Sequence, residues 1–319
     1  MSKLIDFKLI EEAKLKLETL LSPTPLHYAS NLSRIFGAEI YLKLECFQPI
    51  KVFKIRGAYN KILNLSDQER KKGLVTASSG NHGIAVSYVA NKLNLNSIVC
   101  LPEGANPSKV NQIKKFGAKI VQEGENYDDS YKNAIQIVSD NQSTLVHPFN
   151  DPLVIAGQGT IGLELIEQLP TLNTVIVPIG GGGLISGISL ALKHFTNDVK
   201  ILGVQPQGAP SMFTSVQQNK IVRLNSINTI ADGLAAKEPG NLTFEITRKL
   251  VDDIFLLNEN EIRQSIIDLL IEENILSEPS GAASLSALQH YNPSPNEKIV
   301  LLISGGNISR QLINTLFQK

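Results

Sequence analysis

The sequence predicts an α/β fold built on mostly parallel sheet. Three observations carry that prediction. Short β-branched runs recur along the chain, each gives way to a turn and then a helical pattern, and three of those turns carry glycine together with polar residues. Ligands in such folds gather beyond the carboxyl ends of the strands. The unusual turns therefore predict one composite small-molecule site.

In order along the chain, Met1 to Leu20 is predicted to form an amphipathic helix, and acidic residues throughout argue against a secretory or transit signal. Strands are expected at Ile40 to Leu44, Leu74 to Ala77, Ile98 to Leu101, Lys119 to Val121, Thr174 to Val177, Ile201 to Val204, Ile254 to Leu257 and Ile299 to Ile303. Leu74 to Ala77 runs into Ser78-Ser79-Gly80-Asn81-His82-Gly83, with a helix expected to begin near Gly83. Thr174 to Pro178 runs into Gly180-Gly181-Gly182-Gly183, and Ile299 to Ile303 into Ser304-Gly305-Gly306-Asn307. No repeat, low-complexity tract or linker-like segment interrupts the chain, so two domains would be interwoven rather than strung in series.

Composition narrows the function classes. Charged residues at 19% and hydrophobic ones at 42% describe a soluble globular chain. Thirty basic residues balance thirty acidic ones, which leaves no long-range field to attract nucleic acid or an anionic membrane. No run of apolar residues is long enough for a transmembrane helix. Cys46 and Cys100 form no CxxC pair and read as packing residues in a reducing cytoplasm. His27, His147, His194 and His290 show no metal-ligand spacing, and His82 alone makes no metal site.

Gly180 to Gly183 is the strongest local signal, because four consecutive glycines arise by chance in roughly one such chain in a hundred. Without Cβ atoms a backbone can turn its N–H groups onto an anion, and the helical pattern from Leu184 to Leu192 would add a helix N-terminus. The alternative is a flexible turn. A dinucleotide loop is excluded by the missing GxGxxG, and a P-loop by Ile188 where lysine is needed. Lys54, in Phe53-Lys54-Ile55-Arg56-Gly57-Ala58, opens a helical pattern after Pro49. Taken alone it reads as a surface lysine. To react with an aldehyde cofactor its pKa would have to fall towards 7, roughly 4.6 kcal/mol of bias from desolvation and cations such as Arg56. Ser78 to Gly83 offers donors for a substrate carboxylate, and Ser79 could exchange a proton if activated. Alternatively, Ser79 or Asn81 caps the helix.

Together these motifs resemble the serine/threonine dehydratase family, the fold type II group of pyridoxal-phosphate enzymes. The likeness extends through Gly157-Gln158-Gly159-Thr160-Ile161-Gly162, Ala231-Asp232-Gly233 and Glu278-Pro279-Ser280-Gly281-Ala282. It implies two open, mostly parallel twisted sheets flanked by helices. A large cofactor-binding domain would comprise residues 1–47 and 150–319, with a small domain at 48–149. Lys54 would carry pyridoxal 5'-phosphate and act as base at the substrate Cα. Phe53 would pack on the pyridine ring and Asn81 would bond its phenolic oxygen. Gly180, Gly181, Gly182, Gly183 and Leu184 would hold the phosphate, and Ser304 would meet the pyridine nitrogen. Ser78, Ser79, Asn81 and His82 would surround the substrate carboxylate. A serine at that nitrogen leaves it largely neutral, which favours loss of a β-leaving group over transamination.

The implied reaction is dehydration and deamination of a small hydroxy amino acid, L-threonine first and L-serine second. Serine racemase and threo-3-hydroxyaspartate dehydratase remain alternatives. Phe149 stands where racemase-like members tend to carry asparagine, and an aromatic there suits threonine's methyl group. Gln205-Pro206-Gln207-Gly208-Ala209-Pro210-Ser211 lacks the carboxylates with which racemase-like members bind a cation, so no metal is expected. Fifteen residues follow Ser304, too few for a C-terminal regulatory domain. Val52 departs from the serine usual before Phe-Lys in the family. A cytoplasmic homodimer or homotetramer completes the expectation.

Overall fold

The computed structural model describes residues 5–317, so Met1 to Leu4 of the expected first helix lie outside it. Its strands, in chain order, are β1 (Leu26–Tyr28), β2 (Glu39–Leu44), β3 (Leu74–Ala77), β4 (Ser97–Leu101), β5 (Lys119–Gln122), β6 (Thr144–Leu145), β7 (Thr174–Pro178), β8 (Lys200–Pro206), β9 (Asp253–Leu257) and β10 (Lys298–Ile303). All eight apolar runs became strands. The sequence missed only β1 and β6, which are three and two residues long.

The strands form two sheets, ordered β1-β2-β10-β7-β8-β9 and β5-β4-β3-β6. Edge strand β1 pairs antiparallel with β2, and the other pairings between these strands are parallel. Helices cover both faces, so central strands such as β3 and β7 are buried along their whole length. Along β10, Ile299, Leu301 and Ile303 enter one core with Ile40 and Leu42. Val300 and Leu302 enter the opposite core with Val175 and Val177. Each such side chain contributes roughly 1.5–3 kcal/mol on burial.

The helix Lys8–Leu17 buries Ile10, Ala13 and Leu17, as its amphipathic pattern predicts. The helix Pro152–Gln168 begins with an Asp151 cap accepting from the Leu153 and Val154 N–H groups, and Pro152 occupies its first turn. Its glycines permit close packing: a Cβ on Gly157 would lie 2.7 Å from Gly57 Cα, and one on Gly159 would lie 3.0 Å from the Gly187 carbonyl oxygen. The helix Lys54–Leu63 is thereby seated directly on Pro152–Gln168. Cys46 and Cys100 are buried and unpaired, and burial pushes their thiols up to about 12 and about 11. No helix among the described residues is long and apolar enough to cross a membrane.

Strand order places the site. From β7 the larger sheet grows outward through β8 and β9, then the chain returns to add β10 on the other side of β7. The smaller sheet grows from β3 through β4 to β5, then returns to add β6 beside β3. Each sheet has a reversal of strand order, where α/β folds open a crevice at the strand carboxyl ends. β7 and β10 lead into Gly180–Gly183 and Ser304, while β3 and β6 lead into Ser78–His82 and His147–Phe149. The two crevices meet, since Asn81 bonds Glu278 and Asn307, and Phe149 lies against Gly181.

Candidate active site

Lys54 is delivered by a short pairing that the sequence does not advertise. Val52 forms an antiparallel bridge with Gly305, the Phe53 N–H donates to the Ser304 carbonyl (3.1 Å), and the Gly306 N–H donates to the Lys51 carbonyl (2.8 Å). Lysine and serine motifs 250 residues apart are thus stitched together, and the helix Lys54–Leu63 starts at that seam. The partly buried Lys54 donates its Nζ to the Pro148 carbonyl at 2.7 Å and lies 5.1 Å from the centre of the Phe53 ring. Burial draws its pKa down to about 8.

Arg56 has no part in that shift, which corrects the sequence expectation. Its Nε and Nη2 bond both oxygens of Glu45 (2.8 and 2.7 Å), and its Nη1 and Nη2 bond both oxygens of Glu164. Lys43 also bonds Glu164. Two cations and two carboxylates therefore form a closed buried cluster beneath the helix.

The glycine run has a geometry that would suit an anion. Gly182 has φ 95°, in the left-handed region, and caps the helix Gly183–Phe195. A Cβ on Gly181 or Gly183 would collide with Phe149, and one on Gly180 would lie 2.8 Å from the Gly233 carbonyl oxygen. Thr243 Oγ1 ties the loop by donating to the Gly181 carbonyl (2.6 Å). No backbone N–H from Gly180 to Leu184 donates to another described residue. Free donors at a helix N-terminus fit a phosphate.

Ser304, at the end of β10, is buried and donates to the Ser280 carbonyl at a long 3.3 Å. The Ser280 hydroxyl accepts from Gly233 N–H, so Ala231-Asp232-Gly233 braces both this serine's support and the glycine cradle. Opposite, the helix Asn81–Lys92 starts from Gly80 with no side-chain cap, so neither Ser79 nor Asn81 is a capping residue. Ser78 Oγ accepts from Gly80 N–H, and Ser79 Oγ is partly exposed without a hydrogen-bond partner among the described residues. Asn81 Nδ2 donates to Glu278 Oε1 at 2.6 Å.

His82 sits differently from its expected place around a carboxylate. Its Nε2 bonds the Val146 carbonyl (2.9 Å), and burial together with Lys54 holds its pKa down at about 3. A neutral ring donating there leaves Nδ1 as a buried, unpartnered acceptor, so the imidazole has no proton for a carboxylate. Phe149 packs edge-on against His147 at 4.8 Å and walls the glycine cradle. Gln205 links Ile179 and Phe213 within the segment expected to lack a metal site. No cluster of three or more His, Cys, Asp or Glu suited to a metal occurs among the described residues.

Three charged residues have no role in the sequence reading, although Asp232 and Glu278 lie within motifs that carry the resemblance. Glu278 is buried with Oε2 unpartnered, and burial, partly offset by Lys109, pushes its carboxyl up to about 7. Lys109, from the helix Pro107–Lys115, pairs with Asp232 across the crevice. A lone carboxylate between Ile275-Leu276 and Pro279 was the available signal for Glu278; nothing in the sequence singled out Lys109.

Cradle, low-pKa lysine and buried serine hydroxyl together suit the cofactor that the motifs implied. The family model described as "Pyridoxal-phosphate dependent enzyme" matches residues 17–305. The L-threonine ammonia-lyase of Thermotoga maritima is 43% identical over 310 residues, which cover 97% of this chain and 77% of that protein. Maize serine racemase superposes with a TM-score of 0.94 at 35% identity, covering 98% of this chain and 97% of that one. The processed form of threonine deaminase isoform 2 from Solanum lycopersicum gives 0.93 at 33% identity, covering 97% and 86%.

Proposed function

Because the chain belongs to the pyridoxal-phosphate dependent enzyme family, we propose that it converts L-threonine to 2-oxobutanoate and ammonia, with L-serine to pyruvate as a secondary activity. The observation that carries this reading is the placement of Lys54 on the Pro148 carbonyl, next to Phe149, which lies against a glycine run whose N–H groups have no partner among the described residues. Pyridoxal phosphate, when bound, would supply the electron sink that lets the Cα proton leave.

The protein's own groups do the rest. The N–H groups from Gly180 to Leu184 and the helix behind them would hold the phosphate. Phe53 would pack beside the ring, Asn81 would donate to the phenolic oxygen, and Ser304 would offer a hydroxyl to the pyridine nitrogen. Lys54, with a pKa near 8, is neutral often enough near physiological pH to take the Cα proton. The Ser78 and Ser79 hydroxyls and the first N–H groups of the helix Asn81–Lys92 receive the substrate carboxylate. Ser79 Oγ, without a hydrogen-bond partner among the described residues, is placed to exchange a proton. Phe149 offers an apolar wall for the threonine methyl.

This proposal includes a small domain at 48–149 inserted between the two parts of a large one. It also includes a homodimer or homotetramer in the cytoplasm. The likeness to maize serine racemase favours racemisation as the second reading. Purified holoenzyme incubated with L-threonine should accumulate 2-oxobutanoate; none from threonine, with D-serine formed from L-serine, would transfer the assignment to racemisation.

A further inference from the structure

We propose that Asn307 and Glu278 are positioning residues that lock the amide of Asn81, leaving one Nδ2 proton in a fixed direction for the cofactor's phenolic oxygen. The inference rests on the cofactor reading above. Its geometry starts from Ile50, two residues before the Val52 bridge. Asn307 Nδ2 lies 3.1 Å from the Ile50 carbonyl oxygen and 2.9 Å from Asn81 Oδ1. A backbone carbonyl only accepts, so the Asn307 amide must present its nitrogen there. Its other proton then needs an acceptor on Asn81, which fixes Oδ1 on that side. Nδ2 is left facing Glu278 Oε1 at 2.6 Å and gives one of its two protons to it.

Every orientation follows from the one before it, and the first is set by the main chain. Reversing Asn81 would place nitrogen against nitrogen and oxygen against a carboxyl oxygen. Asn81 and Glu278 are buried, so water would not mend that mismatch. The relay also joins the three motifs that meet at the site: the approach to Lys54, the turn after Ser304 and the turn after β3. A hydrogen bond from Asn81 to the cofactor is then aimed before the cofactor arrives.

The test reads the pH midpoint of the bound cofactor's visible absorption in holoenzyme, independently of turnover. Asn307→Ala and Glu278→Ala should each move that midpoint in the same direction as Asn81→Ala, by about one pH unit. Glu278→Gln, which keeps an oxygen acceptor, should restore the original midpoint. Neither substitution should add to Asn81→Ala. An unchanged midpoint in Asn307→Ala, or shifts that persist without Asn81, would overturn the inference. Should Asn307→Ala not fold, the Glu278 pair decides: rescue by Gln supports the relay, and equal behaviour of Gln and Ala refutes it. Absence of any visible band in the unsubstituted protein would instead remove the cofactor reading and this inference with it.

Discussion

Lys54 and Arg56 lie two residues apart on one helix, about 200° around its axis, and the fold treats their charges in opposite ways. Arg56 is buried between two carboxylates, and their attraction outweighs its desolvation, so its pKa rises. Among the described residues Lys54 has one backbone carbonyl and no carboxylate, and its pKa falls to about 8. The crevice does contain a carboxyl group, Glu278, but burial pushes that up to about 7. Structural charge is closed into a cluster in which every member has a partner. Functional charge is left short of one. That deficit keeps the amine of Lys54 available for chemistry.

The most severe break of this contrast is Lys54→Ala. Turnover of L-threonine should fall by at least about 10³-fold, with the visible cofactor band lost. Thermal stability should hold or rise slightly, because a poorly compensated amine has been removed. Substantial turnover in that variant would contradict the role of Lys54. The reciprocal substitution, Arg56→Ala, leaves Glu45 and Glu164 buried with only Lys43 to balance them. It should cost about 3–5 kcal/mol in urea unfolding, while turnover per folded molecule changes far less. Equal losses of stability and turnover would mean that the two regions are one.

The contrast also has a pH signature. Lys54 titrates near 8 when folded, against about 10.5 when unfolded, so the folded state binds fewer protons between those values. Its penalty is fully present below about pH 8 and disappears as pH rises to about 10.5. In cofactor-free protein, the stability advantage of Lys54→Met over the unsubstituted chain should shrink across that window by on the order of 2 kcal/mol. A constant difference from pH 8 to 10.5 would show that Lys54 is not desolvated. Glu45 works in the other direction: its folded pKa is depressed despite burial, chiefly by Arg56. Its contribution is present above the unfolded value and lost as acid lowers the pH through the folded one.

Much of this was legible in the sequence because buried parallel strands are continuous apolar runs. β3, β7 and β10 could be read directly, and the turns behind them marked the site. β6 was not legible because Thr144-Leu145 is too short to show any period, although it carries His147 to Phe149 to the crevice. Arg56 is illegible for a different reason: residues two apart on a helix are neighbours in sequence, but their side chains diverge. Glu278 stands in a recognisable motif, but its role was not legible because its partner Asn81 lies 197 residues away. Pairings of that kind belong to strand order, and strand order is not local.

The mildest and most pointed test supplies the withheld carboxylate. Ser304 is 3% exposed and spends its hydroxyl on a 3.3 Å bond to a carbonyl. An aspartate there would face the carbonyl oxygen of Ser280, with the Glu278 carboxyl packed against neighbouring Gly305. Nothing in that surrounding would neutralise it, so it would recruit a proton onto the pyridine nitrogen beside it. The electron sink would then be deeper, and the carbanion would persist instead of expelling hydroxide promptly. Ser304→Asp should therefore slow 2-oxobutanoate formation by roughly tenfold, about 1.4 kcal/mol, and raise the share of transaminated cofactor, both measurable in one chromatographic product analysis. If product ratios and rate stayed unchanged, the charge deficit at Ser304 would be irrelevant to partitioning. The contrast between the two regions would then concern Lys54 alone.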